Sequence, residues 1–548
     1  MELLVDLFGY LSIVVHGVTI LSQSMALGGV LFLVLLARPL NLPDIAAGTA
    51  RIAGYAAIAL LLSEVATVAL QTAVLVDTVD LSVRDALTAD FAIAGLIKAL
   101  AAALLACLLL LRNGTAAPIP LLALTLIELV AATLTTHAAA RLDSRFWLLA
   151  VEGLHQLGAA IWIGGIPCFL LALSRVRDGG MWRQVSARFS RMSMAGVACI
   201  LLSGLTMSLL YIGDWQGLYG TAFGVMVSAK IAMFLMLLGL GGMNFLMVER
   251  MRASPDASAN RLRRFAEVEF GIGIAIFFAA ASLTSVPPAV DLTHDRVSLA
   301  EIVERNTPEW PRLSSPDHDV LALPALQAKL NQQAAQQKSA PQVAFTPGAG
   351  ELPPRNANDI AWSEYNHHWA GVIVCVVGLL ALLNRAGVRS ARHWPLAFLG
   401  LAVFLFFRSD PETWPMGNIG FLDSMRDVEV VQHRAFVLLI VVFAFFEWRV
   451  RAAGWTNRKA PLVFPLLCAA GGTLLLTHSH AIANVKDQLL IELTHTPLAL
   501  AGIAAGWARW LEIRLNQRAN PLAWRIAGWV WPACILFAGL LLLSYREA

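Results

Sequence analysis

Residues 91–111 read FAIAGLIKALAAALLACLLLL, twenty-one positions with one charge, Lys98, and one glycine. About 20 consecutive apolar residues is the length of helix that crosses the hydrocarbon core of a bilayer, and it is far longer than an ordinary strand. Working outward, the same signature recurs near 7–37, 52–76, 91–111, 117–137, 147–174, 192–212, 222–248, 266–286, 368–384, 394–408, 434–448, 461–477, 490–511 and 523–544. Composition agrees, since 58% of the 548 residues are hydrophobic and only 14% are charged, against about 25% charged in a soluble domain. The sequence reads as an all-α polytopic membrane protein of about 14 transmembrane helices. Residues Met1 to Tyr10 lack the basic start of a cleavable signal.

Lysine and arginine set the sidedness. With the N-terminus outside, the inner loops collect 24 of the 40 basic residues, from Arg38, Arg51 and Arg112 through the clusters at 175–191 and 250–264 to the groups at 385–392, 449–459 and 509–525. The expected topology is N-out and C-out. A net charge of +3 gives no reason to expect nucleic acid as a partner. The six cysteines, Cys107, Cys168, Cys199, Cys375, Cys468 and Cys534, lie in apolar runs without a CxxC pair, so neither a disulfide framework nor a thiolate site is suggested.

Residues 287–366 depart sharply in composition. Pro287-Pro288, Pro308, Pro311, Pro316, the Gln-rich stretch 331–337 and Pro353-Pro354 mark a mostly extended outer linker with one or two short helices. It separates an eight-span block, 1–286, from a six-span block, 367–548. The first block reads as a 4+4 parallel repeat. His16 precedes Gly28-Gly29 and an inner arginine in span one, and His155 precedes Gly164-Gly165 and an inner arginine in span five. Lys98 in span three and Lys230 in span seven each follow a phenylalanine, Phe91 and Phe223, about two turns below the outer surface. Both lysines are long enough to snorkel outward.

The histidines test this topology independently. Of twelve, only His393 falls on the inner side; His137, His367, His368, His433, His478 and His480 fall at outer helix ends, His294 and His318 in the long loop, and His16, His155 and His495 in outer halves of spans. Glu152 with His155, Glu492 with His495 and Glu429 with His433 each share a helix face, so that a carboxylate can fix the tautomer of a metal-binding imidazole. His478 and His480 would point the same way in an extended helix end. Met416 and Met425 flank the loop before His433, and imidazole with thioether suits copper, Cu(I) especially. The expected metal ligands are His16, His137, His155, His368, Met416, Met425, His433, His478, His480 and His495; Glu64, Glu128, Glu152, Glu429 and Glu492 are expected to orient ligands or carry protons. A single histidine in an apolar helix is also accounted for by a structural hydrogen bond, and the methionines of span seven by packing.

These residues resemble the copper resistance protein D (CopD) family over about 147–290. The resemblance rests on Glu152-Gly-Leu-His155 with Trp162-Ile-Gly-Gly165, Arg188-Phe-Ser-Arg191, Gly220-Thr221 with Ser228-Ala-Lys230, Arg264-Phe265 with Glu267 and Glu269, and the closing Leu283 to Asp291. It implies a bacterial inner-membrane protein that moves copper, Cu(I) or Cu(II), or delivers it to a small periplasmic copper-binding protein. Of the positions above, His155 and Trp162 match the family motif.

The leading expectation is therefore a copper transporter, not an enzyme. No Walker loop is visible, so ATP is not expected as a partner. Two alternatives stay open on the residues alone. Paired histidines such as His368 with His433 or His495 can ligate haem b in an electron-transfer protein, and two Glu-x-x-His motifs on bundle helices also suit a di-iron carboxylate site.

Overall fold

The computed structural model describes residues 7–79, 81–136, 145–176, 179–253, 260–292, 296–316, 357–410, 413–452, 454–455, 457, 459–477 and 485–547. Among them the fold is all helical apart from one isolated bridge between Thr413 and Ile419. Twelve helices are long and apolar enough to cross a membrane, and two shorter apolar helices, Pro118–Thr133 and Ala460–Leu475, stand at the two remaining expected positions. The protein is a multi-pass membrane protein.

The first eight principal helices are α1 (Phe8–Phe32), α2 (Pro43–Val79), α3 (Asp90–Leu111), α4 (Pro118–Thr133), α5 (Arg145–Ala159), α6 (Gly179–Tyr211), α7 (Ala222–Ala253) and α8 (Asn260–Leu283). The remaining six are α9 (Ala357–Arg385), α10 (Ala397–Arg408), α11 (Val428–Ala452), α12 (Val463–Leu475), α13 (Val485–Arg514) and α14 (Pro521–Leu543). Several outrun their apolar stretches: α2 starts at Pro43 and carries Asp44 and Arg51, and α6 starts at Gly179 and carries Arg183, Arg188 and Arg191. Backbone hydrogen bonding continues past the apolar run because proline at a first turn, and charged side chains on a solvated turn, do not break a helix. Helix α4 stops at Thr133, short of the expected 137. Beyond it Thr135 and Thr136 donate their hydroxyls to the carbonyls of Ala132 and Thr133, at 2.9 and 2.7 Å, and close a turn instead.

The chain forms two compact units. One comprises Leu11–Asp214 with Lys230–Val290, and the other comprises Trp215–Ala229 with Asp291–Ala548. The change of unit at 290 coincides with the change of composition, but the start of α7 belongs with the second unit rather than the first.

In the first unit α1 and α5 cross almost backbone to backbone. A Cβ added at Gly28 would lie 2.2 Å from the Ala160 carbonyl oxygen, and one added at Gly164 would lie 1.9 Å from the Ser24 carbonyl oxygen. A π turn follows each helix: Ala160–Gly164, directly after α5, forms the crossing itself, and Leu33–Ala37, directly after α1, lies just beyond it. Both then reach an arginine that clamps a neighbouring connection. Arg38 donates to the carbonyls of Gly114 and Ala116 at 2.9 and 2.6 Å, and Arg175 donates to that of Asp44 at 2.8 Å. Burial lowers the pKa of the Arg38 guanidinium from its ordinary value. These features match between the first and fifth helices.

In the second unit an aromatic core of Trp394, Phe398, Phe443, Phe464 and Trp531 joins α9 to α14. A segment before α9 lies along one end of this bundle. It begins with a helix, Leu299–Asn306, started by a capping box in which the Ser298 hydroxyl and the Glu301 carboxylate satisfy each other's backbone amides. It continues through Arg312, which pairs with Glu364 at 3.2 Å, and Leu313, whose carbonyl accepts from Trp369 Nε1 at 3.0 Å. One or two short helices were expected in this stretch, and Leu299–Asn306 stands among the described residues.

The crossing makes a direct prediction. Gly164→Val forces the α1 and α5 backbones apart, and overpacking of this kind costs about 1–3 kcal/mol. The thermal midpoint of the purified protein in detergent should fall, whereas Gly239→Ala, with nothing within 4 Å of the new carbon, should leave it unchanged. Equal midpoints for both variants would show that the close crossing is not needed.

Candidate functional site

The buried polar side chains of each unit form separate groups. In the first, α1 turns a buried polar face inward, with Thr19, Ser22, Gln23 and Ser24 all under a tenth exposed. Gln23 Nε2 donates to Gln156 Oε1 at 3.0 Å, and Gln156 Nε2 donates to Glu152 Oε1 at 3.0 Å. A carboxylate on α5 is thus tied by two amides to α1. The sequence signal for Gln23 and Gln156 was an amide within an apolar run, which the search for histidines and carboxylates passed over.

His155 finds a partner other than Glu152. Its Nδ1 lies 3.0 Å from Ser203 Oγ on α6, and that hydroxyl donates to the Cys199 carbonyl at 2.6 Å. The serine proton is committed, so Nδ1–H donates and the imidazole lone pair sits on Nε2. Lys230 of α7 and Glu152 of α5 share this neighbourhood electrostatically. Farther along, Trp162 Nε1 donates to Glu269 Oε2 at 3.4 Å, and Asn244 donates to the other oxygen. His16 is half-buried on α1.

The first four helices hold a different group. Lys98 does not snorkel out. Its Nζ lies 2.7 Å from Glu64 Oε1, with the two side chains 8% and 1% exposed. The attraction of a buried carboxylate outweighs the reach to an interface, because the low dielectric that penalises a lone charge strengthens a paired one. Glu128, 1% exposed, is the next charge to this pair.

In the second unit three histidines sit at the same end of α9, α11 and α13. His367 Nδ1 donates to the Ser363 carbonyl at 2.8 Å, His495 Nδ1 to the Ile491 carbonyl at 3.0 Å, and His433 Nδ1 to Asp410 Oδ1 at 2.9 Å. The rings of His367 and His495 meet edge to face at 5.8 Å, and the Tyr545 ring stacks on His367 at 3.8 Å. Tyr545 donates to Glu547, which also accepts from Ser363 at 2.6 Å. Burial raises the Tyr545 phenol well above its ordinary value, and Glu547 adds to the effect.

His368, the ligand expected next door, is a structural latch. Its Nδ1 accepts the Arg312 amide at 2.7 Å and its Nε2 donates to the Tyr545 carbonyl at 2.8 Å, so both ring nitrogens are used. His367 was not among the expected ligands, and it is the one whose ring joins the cluster. Neighbouring positions on a helix face 100° apart, so sequence alone does not say which of the two turns inward.

The expected carboxylate-to-histidine pairs take other partners. Glu492 accepts from Thr496 at 3.0 Å, Glu152 accepts from Gln156, and His433 hydrogen-bonds Asp410 while Glu429 acts on it through its charge. A histidine in a helix reaches the carbonyl one turn back more easily than a carboxylate on the same face, as His367 and His495 both do. Met416 is 56% exposed on a tight loop held by Arg434, which donates to the Trp414 carbonyl at 2.6 Å; Met425 is half-buried. His137, His478 and His480 lie outside the described residues. Among the described residues no three His, Cys, Asp or Glu side chains stand close enough to hold an ion.

Comparison with known proteins bears on the first unit. The family model described as copper resistance protein D matches residues 183–283. Over those residues the chain is similar to the CopD family. Its matched range runs from within α6 to the end of α8 and so contains Ser203, Lys230, Asn244 and Glu269. The chain is 33% identical to copper transport protein CutJ of Bacillus subtilis over 162 residues, 29% of each chain. It is 27% identical to copper resistance protein D of Pseudomonas syringae pv. tomato over 192 residues, 32% of this chain and 62% of that one. The matched stretches thus span less than two thirds of either relative. No solved structure is significantly similar.

Outside the spans, the acid sensitivity of the Asp410–His433 pair can be worked out. Burial would raise the Asp410 carboxyl, but the His433 hydrogen bond and charge, the Ser409 hydroxyl and Arg434 outweigh it and hold the group below its ordinary 3.8. The ionised form therefore stabilises the native state above that value, and the gain is lost as pH falls through the lower, folded-state value. Asp410→Asn should lower the melting midpoint at neutral pH and make its fall below pH 3.8 shallower. If the acid limb of the melting profile is the same in both proteins, Asp410 does not anchor His433.

Proposed function

We propose that the protein moves copper across, or delivers it at, the bacterial inner membrane, with N- and C-termini outside and the 287–366 segment in the periplasm. Copper is the cargo. It is captured at the histidine-bearing end of the second unit and handled in the first unit by His155. The names of the two relatives support copper as the ion.

One observation carries the choice of residues. His155, His367, His433 and His495 each commit Nδ1 to a protein oxygen, which places the lone pair of the neutral ring on Nε2. Fixing one ring nitrogen in this way orients the other toward a metal and raises its basicity. Imidazole nitrogens with the thioether of Met416 or Met425 form a donor set suited to copper. His16, His137, His478 and His480 stay in the proposal as further ligands along the same route, and a periplasmic copper-binding protein is the proposed donor or acceptor. Rings now 5.8 Å apart between centroids must reorient to share an ion. A transport site gains from that, since an ion held too tightly does not leave.

Copper binding by elemental analysis and copper flux in proteoliposomes of known orientation test the reading. His155→Ala and the triple change His367→Ala/His433→Ala/His495→Ala should each weaken copper binding by roughly tenfold or more, with His393→Ala as the unaffected control. Binding and flux equal to the control in both variants would defeat the histidine route. A Soret band in protein purified from haem-replete cells would favour the electron-transfer alternative instead.

A further inference from the structure

Glu128 poses a problem that copper does not solve. It lies on α4 with 1% of its surface exposed, and neither carboxylate oxygen has a hydrogen-bond partner among the described residues. The nearest hydroxyl on its own helix, Thr125, is spent on the Leu121 carbonyl at 2.7 Å. Glu64 and Lys98 face it from α2 and α3 and already pair with each other at 2.7 Å. Helix α5 packs against the end of α4 through Gly153 and Thr133, which bring no charge.

Charge arithmetic then decides the protonation state. With both carboxylates ionised the trio carries a net −1 in hydrocarbon, and an ionised carboxylate without a donor costs several kcal/mol there. One proton makes the trio neutral: Glu64 ionised against Lys98, Glu128 a carboxylic acid. No basic side chain near Glu128 competes for that proton, since Lys98 is already engaged. A metal cation is disfavoured at the same place because the lysine ammonium already pairs with Glu64 and would repel it.

We propose that Glu64, Lys98 and Glu128 form a binding site for a single exchangeable proton within α2, α3 and α4. The reaction is the reversible addition of one proton to a Glu128 carboxylate oxygen. The site lies apart from His155 on other helices, and its use as the coupling ion for transport rests on the copper reading above. The site itself does not.

Dicyclohexylcarbodiimide, an apolar reagent for protonated carboxyls, tests the site in the full-length protein reconstituted in liposomes with a metal chelator and no copper. Mass spectrometry should find the adduct on Glu128, falling roughly tenfold per pH unit above the site's midpoint. Glu128→Gln should remove it. Glu64→Gln should also suppress it while leaving Glu128 in place, because Lys98 then pairs with Glu128 and holds it ionised. That second variant keeps the test independent of whether Glu128→Gln folds. Labelling that does not change with pH, labelling unaffected by Glu64→Gln, or protection by excess sodium at constant pH would each overturn the proposal. Failure of copper flux with labelling as described would defeat the transport reading alone.

Discussion

Hydrocarbon offers a polar atom no water, so every such atom in the spans must bond within the protein or remain as a cost. That constraint shapes the side chains as firmly as the backbone. Thr19, Thr125, Ser203 and Thr473 each return a hydroxyl proton to a carbonyl one turn earlier, at 2.6 to 3.0 Å. His367 and His495 do the same with Nδ1. What makes these histidines possible ligands is thus a by-product of satisfying one ring nitrogen locally, and the ring chemistry follows from the solvent.

Charges answer the same constraint by pairing. At the end of the second unit away from His367, His433 and His495, Glu447 accepts from Arg451 and Arg509 at 2.6 and 3.0 Å, and Glu512 accepts from Arg509, Arg385 and Trp531 at 2.6 to 2.8 Å. Arg451 and Arg509 also lie over the Trp531 ring, 5.4 Å from its centroid. These side chains come from α9, α11, α13 and α14. Removing one partner from such a network leaves an uncompensated buried charge, worth about 3–5 kcal/mol, whereas replacing the whole by apolar groups often costs little. Its contribution is therefore better understood as fixing which helix ends meet than as net stability.

Much of this architecture could be read in the sequence because membrane spans are written in apolar length, and apolar length survives any packing. All fourteen runs coincide with helices, and the misjudged ends, at α2, α4 and α6, are where polar side chains either extend a helix or close a turn. The site was less legible. Glu152 with His155, Glu429 with His433 and Glu492 with His495 have the spacing of partners, yet helical spacing shows only that two side chains share a face. The actual partners, Ser203, Asp410 and the Ile491 carbonyl, belong to another helix, a loop and the backbone. The choice between His367 and His368 depended on the Arg312 amide, which no periodicity in α9 encodes. Arginines counted for sidedness hid a second role as well, since Arg385, Arg451 and Arg509 are ion-paired inside the protein.

The two lysines placed alike by sequence show how one scaffold can diverge. Lys98 and Lys230 stand on the third helix of their respective four-helix sets, and α1 and α5, the first helices, cross through matching glycines and carry matching π turns. Around Lys98 the neighbours are two carboxylates, Glu64 and Glu128. Around Lys230 they are Glu152 and the imidazole of His155. A lysine beside two carboxylates leaves one acid to titrate; a lysine beside one carboxylate and an imidazole leaves a neutral nitrogen donor. On the two readings proposed above, a single partner, carboxylate in one place and imidazole in the other, distinguishes the proton site from the copper-handling one, and the two chemistries stay on separate helices of one bundle.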